Sequence, residues 1–136
     1  LTDTGRFQYS NTTATTHRIV STLLSHGVRP YTVSKHIYEN IRLSELKLLQ
    51  ISLKTVKVKH KIIWAWVTKK MFKQAGSKWE DADQFIDYLK SVTDIKVALL
   101  FKETKNPGEI HVNFRSKDNK IFVNKIAKQF NGGGHN

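Results

Sequence analysis

Three short stretches carry residue types suited to gripping or activating an anion. The segment TDTGRFQY, residues 2 to 9, sets the carboxylate of Asp3 just before Gly5. A carboxylate where a strand runs into a turn is rigidly held yet exposed, which suits a metal ion. Asp before Thr and Gly is also common turn chemistry, and spacing alone does not decide between the two. The segment NFRSKDN, residues 113 to 119, puts Arg115 at the expected end of a strand. There a guanidinium fork can hold a phosphate in bidentate fashion, with Ser116 and Lys117 extending the donor set. The plainer reading is an exposed charge at a strand end. The segment NGGGHN, residues 131 to 136, follows a helical pattern with Gly132, Gly133, Gly134 and His135. Ending a helix takes one glycine, so the surplus suggests a backbone that something approaches closely. Its N–H groups can cradle an anionic oxygen, and the imidazole of His135 can add a donor. The alternative is a flexible glycine-rich end.

Other chemistries lack support. His17, His26, His36, His60 and His111 never fall at the helical spacing of a zincin, and there is no cysteine to complete a zinc site. No P-loop and no GxSxG pattern is present, so neither P-loop nucleotide hydrolysis nor a serine hydrolase is indicated. The absence of cysteine also removes disulfides and fits a reducing compartment, with the cytoplasm as the default.

Elements that would position these residues can be read from periodicity. Thr12 or Thr13 caps a helix striped by Ile19, Val20, Leu23 and Leu24 and ended by Gly27. Pro30 opens a second helix with Val33, Ile37 and Ile41 on one side, and Leu43, Leu46, Leu49 and Leu53 stripe a third. The period changes at Thr55: Val56 and Val58 alternate with lysines, and Ile62 to Val67 form a continuous apolar run, giving two strands. Ser77 and Glu80 have capping-box spacing and start a helix with Trp79, Ala82, Phe85, Ile86 and Leu89 on one face. A hairpin follows, roughly Ile95 to Lys102 and Ile110 to Arg115, turning at Asn106, Pro107 and Gly108. A last helix carries Val123, Ile126, Ala127 and Phe130 into the glycines.

The 136 residues hold 23 basic and 11 acidic side chains, a net charge of +12 that favours a polyanionic partner unless it reflects a general lysine bias. Nine lysines and no acidic residue lie between Glu45 and Glu80, so both charge and period mark a domain boundary near Leu53. No apolar run approaches the length of a membrane span. The chain lacks an initiator methionine and a signal-peptide pattern, and we expect it to be a piece of a longer protein. Trp64, Trp66 and Trp79 sit in apolar stripes and are expected to pack in the core rather than to stack on bases.

TDTGRFQYSNTTATT together with NFRSKDN and NKIAKQFNGGGHN, in that order and separation, resembles the DHH/DHHA1 phosphoesterases, and among them the nanoRNase and pAp-phosphatase subgroup. The resemblance spans nearly the whole chain. It implies an α/β fold: residues 1–53 as the helical C-terminal part of a DHH domain, and 54–136 as a DHHA1 domain, a mixed sheet packed by helices and truncated at its C-terminus. It implies a two-metal hydrolase, usually with Mn²⁺, acting on short RNA or DNA oligonucleotides or on nucleotides such as pAp. Asp3 matches the family's metal-ligating aspartate. Arg115 and Ser116 match its RS motif, and Gly132, Gly133, Gly134 and His135 its GGGH motif, both facing the substrate phosphate. The family's other metal motifs are expected upstream of Leu1, so this chain is expected to be inactive alone, and a homodimer would form through that DHH region. A cyclic-dinucleotide phosphodiesterase uses the same parts, and a non-catalytic nucleic-acid-binding module is the alternative of a different class.

Overall fold

The computed structural model describes residues 2–133. Backbone contacts divide the chain into two compact units between Ile41 and Arg42.

The first unit is a turn followed by two helices. Among the described residues no strand precedes the turn: residues 2 to 11 are turns and bends, with Gly5, Arg6 and Phe7 consecutively at φ of 54°, 61° and 68°. The expected strand end at Asp3 is therefore corrected. A strand needs a partner ladder for its backbone groups, and the four strands among the described residues all lie in the other unit. Arg6 lies 3.5 Å from the centroid of the Tyr38 ring, and Phe7 stands 5.0 Å from the ring of His17, so the turn is pinned to both helices. Helix α1 (Ala14–Ser25) is capped by Thr13, whose hydroxyl accepts from Thr16 N, and α2 (Pro30–Tyr38) starts with proline in its first turn. Ile41 falls beyond the end of α2.

The second unit begins with α3 (Leu43–Leu53), then β1 (Lys57–Lys59), β2 (Ile62–Val67), α4 (Lys69–Ala75), a 3₁₀ turn (Trp79–Ala82), α5 (Phe85–Ser91), β3 (Val97–Glu103), β4 (Ile110–Ser116) and α6 (Val123–Lys128). The strands form one mixed sheet in the order β1-β2-β3-β4, with β2 and β3 parallel and the other pairs antiparallel. This is the α/β architecture expected from the sequence. The β1–β2 turn uses two residues, His60 and Lys61, both at positive φ (50° and 65°), the backbone that matches the twist of a tight hairpin.

One face of the sheet is the core. Ile63, Ala65 and Val67 alternate inward on β2, and Ala98 and Leu100 sit beside them on β3. Leu48 of α3, Ala75 of α4 and Phe85, Ile86 and Leu89 of α5 close over them in one buried cluster. Thus α3, read from its sequence position as closing the first domain, buries Leu48 and Ser52 in the second compact unit.

Trp64 and Trp66 are on the other face. The apolar run 62 to 67 suggests a strand buried on both sides, but its burial alternates, and these two indoles are half-buried. Trp66 stacks on Phe101 of β3 at 4.5 Å.

Two helix expectations change. Helix α4 is an addition to the elements read from periodicity, which leave residues 68–76 without one: Thr68 caps it through Met71 N and Gly76 ends it at φ 65°. The helix expected from Ser77 through Leu89 is a 3₁₀ turn and then α5, with the turn starting after Lys78 rather than Ser77. The Asp81 carboxylate accepts from Lys78 N at 2.8 Å, which caps the 3₁₀ turn at its start, and pairs with Arg42.

Candidate functional site

Arg115 is near the end of β4, opposite Ala98 of β3, and the turn that follows is tied down from several sides. Ser116 Oγ donates to Asp118 O at 2.8 Å and accepts from Asp118 N at 3.1 Å. The Asp118 carboxylate accepts from Lys96 Nζ at 2.7 Å and from Lys120 N at 3.0 Å, and these hydrogen bonds hold its pKa below the ordinary carboxylate value. Lys117 N donates to Lys96 O at 2.8 Å, and Lys117 Nζ reaches Val92 O at 2.9 Å. The turn is thus bonded to the stretch just before β3.

This division of labour differs from the sequence expectation that Arg115, Ser116 and Lys117 form one donor set. The Lys117 ammonium already has a carbonyl partner, and the Ser116 hydroxyl shapes the turn while keeping acceptor capacity. Arg115 is exposed, and its Nη1 donates to the neighbouring carbonyl of Phe114 at 3.1 Å. A guanidinium carries five donors, so most of the fork remains available on a well-fixed base.

Helix α6 leads from that turn to the glycines and packs against β4. Its end is closed by Phe130 N and Gly132 N, which donate to Ala127 O at 3.0 and 2.9 Å, with Asn131 left-handed at φ 59°. A Cβ at Gly132 would come within 3.0 Å of Ala127 O, so close backbone approach explains that glycine. Nothing lies within 4 Å of a Cβ built at Gly133, so that position is open. Gly134 and His135 lie outside the described residues. Arg115 and Ser116 thus lie on β4, and Gly132 and Gly133 follow α6, which packs against β4.

Asp3 belongs to the first unit. It is exposed within the opening turn, where its backbone carbonyl accepts from Asn11 Nδ2 at 3.0 Å. A carboxylate is an appropriate donor for a hard divalent ion. No group of three His, Cys, Asp or Glu side chains that could hold a metal occurs among the described residues. Asp3 can offer one oxygen donor to a divalent ion, and the described residues do not by themselves gather a set of three such ligands.

No helix among the described residues is long and apolar enough to cross a membrane. Residues 57–136 match the DHHA1 domain family. The bifunctional oligoribonuclease and PAP phosphatase NrnA of Bacillus subtilis (strain 168) is 28% identical over 134 residues, which are 98% of this chain and 41% of that protein. The protein of the same name from Mycoplasma genitalium is 31% identical over 135 residues, 99% of this chain and 41% of that protein. A crystal structure of an exopolyphosphatase-related protein from Bacteroides fragilis superposes with a TM-score of 0.87 at 26% identity, covering 98% of this chain and 39% of that one. The chain spans about two fifths of the length of the curated relatives it matches.

Proposed function

We propose, from the premise that this chain belongs to the DHHA1 family, that the protein containing it is a phosphoesterase releasing mononucleotides from short oligonucleotides, pAp or both. The relatives' names as oligoribonuclease and PAP phosphatase support the substrate class. The observation that carries the reading is Arg115: an exposed guanidinium on a turn braced by Ser116, Asp118 and Lys96, on a strand that packs against the helix leading to the glycines.

In this reading Arg115 grips a substrate phosphate with paired N–H donors, and the amides of Gly132, Gly133 and Gly134 with His135 take its remaining oxygens. Ser116 acts chiefly by holding the turn. Asp3 contributes one oxygen ligand to a manganese site completed by residues outside this chain, and bound metal would supply an activated water and charge neutralisation. The net charge of +12 adds long-range attraction for a polyanion.

The test is steady-state hydrolysis of an RNA dinucleotide and of pAp by the full-length protein with Mn²⁺. Arg115→Ala is expected to raise KM about ten- to a hundredfold, the worth of a charged hydrogen-bond pair. Asp3→Ala is expected to remove turnover while leaving dinucleotide binding measurable. Unchanged KM in Arg115→Ala would remove the phosphate-gripping role, and full turnover in Asp3→Ala would remove the metal role.

A further inference from the structure

At the other end of the sheet from Arg115 lies a cleft of 530 Å³, outside the carboxyl ends of the parallel strands β2 and β3. Ser116 pairs with Val97 where β3 begins and Ile110 pairs with Glu103 where it ends, so the two places are separated by about 20 Å of strand. Open α/β sheets hold ligands outside strand carboxyl ends, and the volume suits a small molecule.

The wall of this cleft includes an indole fixed on three sides. Trp79 Nε1 donates to Glu103 O at 3.2 Å, the ring of His111 meets it edge-on at 5.3 Å, and Lys102 Nζ lies 3.5 Å from its ring centroid. Lys102 is fully buried and paired with Asp83 at 2.5 Å, so the ring face it covers is the inner one. Trp79 and Phe72 are the apolar walls of the cleft.

Polar groups converge there too. Ser77 lines the cleft, while its Oγ is itself sealed from solvent. Lys69, Lys78 and Lys105 stand at the mouth, with Lys69 Nζ on the carbonyl of Lys105 at 3.0 Å. Glu80 and Glu103 also line it, the latter accepting from Lys69 N at 2.7 Å, so three ammonium groups outnumber two carboxylates there.

We propose that this cleft is a second nucleotide site. A nucleobase lies against Trp79 and Phe72, and its phosphate sits between Lys69 and Lys105. Stacking on a fixed aromatic and charge pairing with lysine are both general for nucleotides. Stacking on an aromatic ring does not discriminate between bases, so the class is mononucleotides rather than one base.

The experiment is photo-cross-linking of the full-length protein with an azido-substituted adenosine monophosphate, followed by peptide mapping. Labelling is expected in the peptide containing Trp79, protected by unlabelled AMP at a concentration at least tenfold below that needed for adenosine or inorganic phosphate. Lys69→Glu with Lys105→Glu should reduce it at least tenfold; both side chains are exposed, and Lys69→Gln with Lys105→Gln serves as a milder pair if charge reversal perturbs folding. Arg115→Ala should leave this label in place, so the result is independent of the phosphate-gripping role assigned to that residue. Labelling confined to peptides around Arg115 and the glycines would overturn the proposal. Labelling at Trp79 that is indifferent to both lysine pairs, or protected equally by phosphate, would do the same.

Discussion

The two compact units use the same helical grammar with opposite results. Helices α1 and α2 carry apolar stripes as regular as that of α3, yet no described residue of the first unit is buried, and Ile19, Leu23, Leu24 and Ile37 are exposed. In the second unit a sheet gives the stripes something to close on, and Leu48, Ile86 and Leu100 are completely buried. Amphipathic periodicity therefore identifies a helix, while burial requires a partner surface.

The sharpest way to break that contrast is truncation in the core. Leu48→Ala should destabilise the second unit by about 2–5 kcal/mol in urea unfolding, through lost transfer energy and a residual cavity. A change below about 1 kcal/mol would mean that α3 is not integral to that unit. Next in size is Thr68→Ala, which removes the cap of α4 and should cost about 1 kcal/mol. Leu23→Ala in this chain should stay within about 0.5 kcal/mol, as for an exposed position; a core-sized loss would show that α1 is buried in solution.

Two carboxylates give the smallest effects, and with opposite signs. Burial, then repulsion from Asp81, raises the pKa of Glu45. A carboxylate raised in the folded state opposes folding above that pKa, and the penalty fades as pH falls through it toward the ordinary carboxylate value. Glu45→Gln should therefore raise the urea midpoint at pH 7 relative to wild type and lose that advantage below about pH 4. Asp118, held low first by its hydrogen bond from Lys96, favours folding above the ordinary carboxylate pKa and loses that contribution as pH falls through its own lower value. Asp118→Asn should flatten the acid limb of the midpoint-versus-pH curve below about pH 4, and an unaltered limb would rule out Asp118 as a brace of the Arg115 turn.

Much of this arrangement was readable in the amino-acid order. Local patterning located α1, α2, α3, the strands and the hairpin turn at Gly108, because helix and strand periods differ and turn residues punctuate them. Helix α4 escaped because its lysines masked the stripe Met71, Phe72 and Ala75 that its cap and terminal Gly76 delimit. The faces of Trp64 and Trp66 depend on which side of the sheet the helices cover, a tertiary fact that a run of apolar residues does not carry. Lys102 is the extreme case: its inward position follows from strand alternation, but its burial depends on Asp83 and Trp79, residues brought to it by the crossover.

The candidate site divides in the same way. Arg115 at a strand end and Gly132 at a helix end were visible as residue types in context, and the structure adds why each is placed so: a braced turn for one, a backbone approach to Ala127 for the other. The bonds between Ser116 and Asp118 form a local turn that the order Ser-Lys-Asp allows, whereas the bond from Lys117 to Val92 joins residues 25 apart and is set by folding.

The account rests most directly on Arg115 as the group that grips substrate phosphate. Equilibrium binding of an RNA dinucleotide to the full-length protein, measured with metal removed by chelation so that no turnover intervenes, tests it for wild type, Arg115→Lys and Arg115→Ala. The account predicts about ten- to a hundredfold weaker binding for Arg115→Ala, with Arg115→Lys recovering part of it because a point charge replaces a two-donor fork. Equal affinity in all three would contradict it.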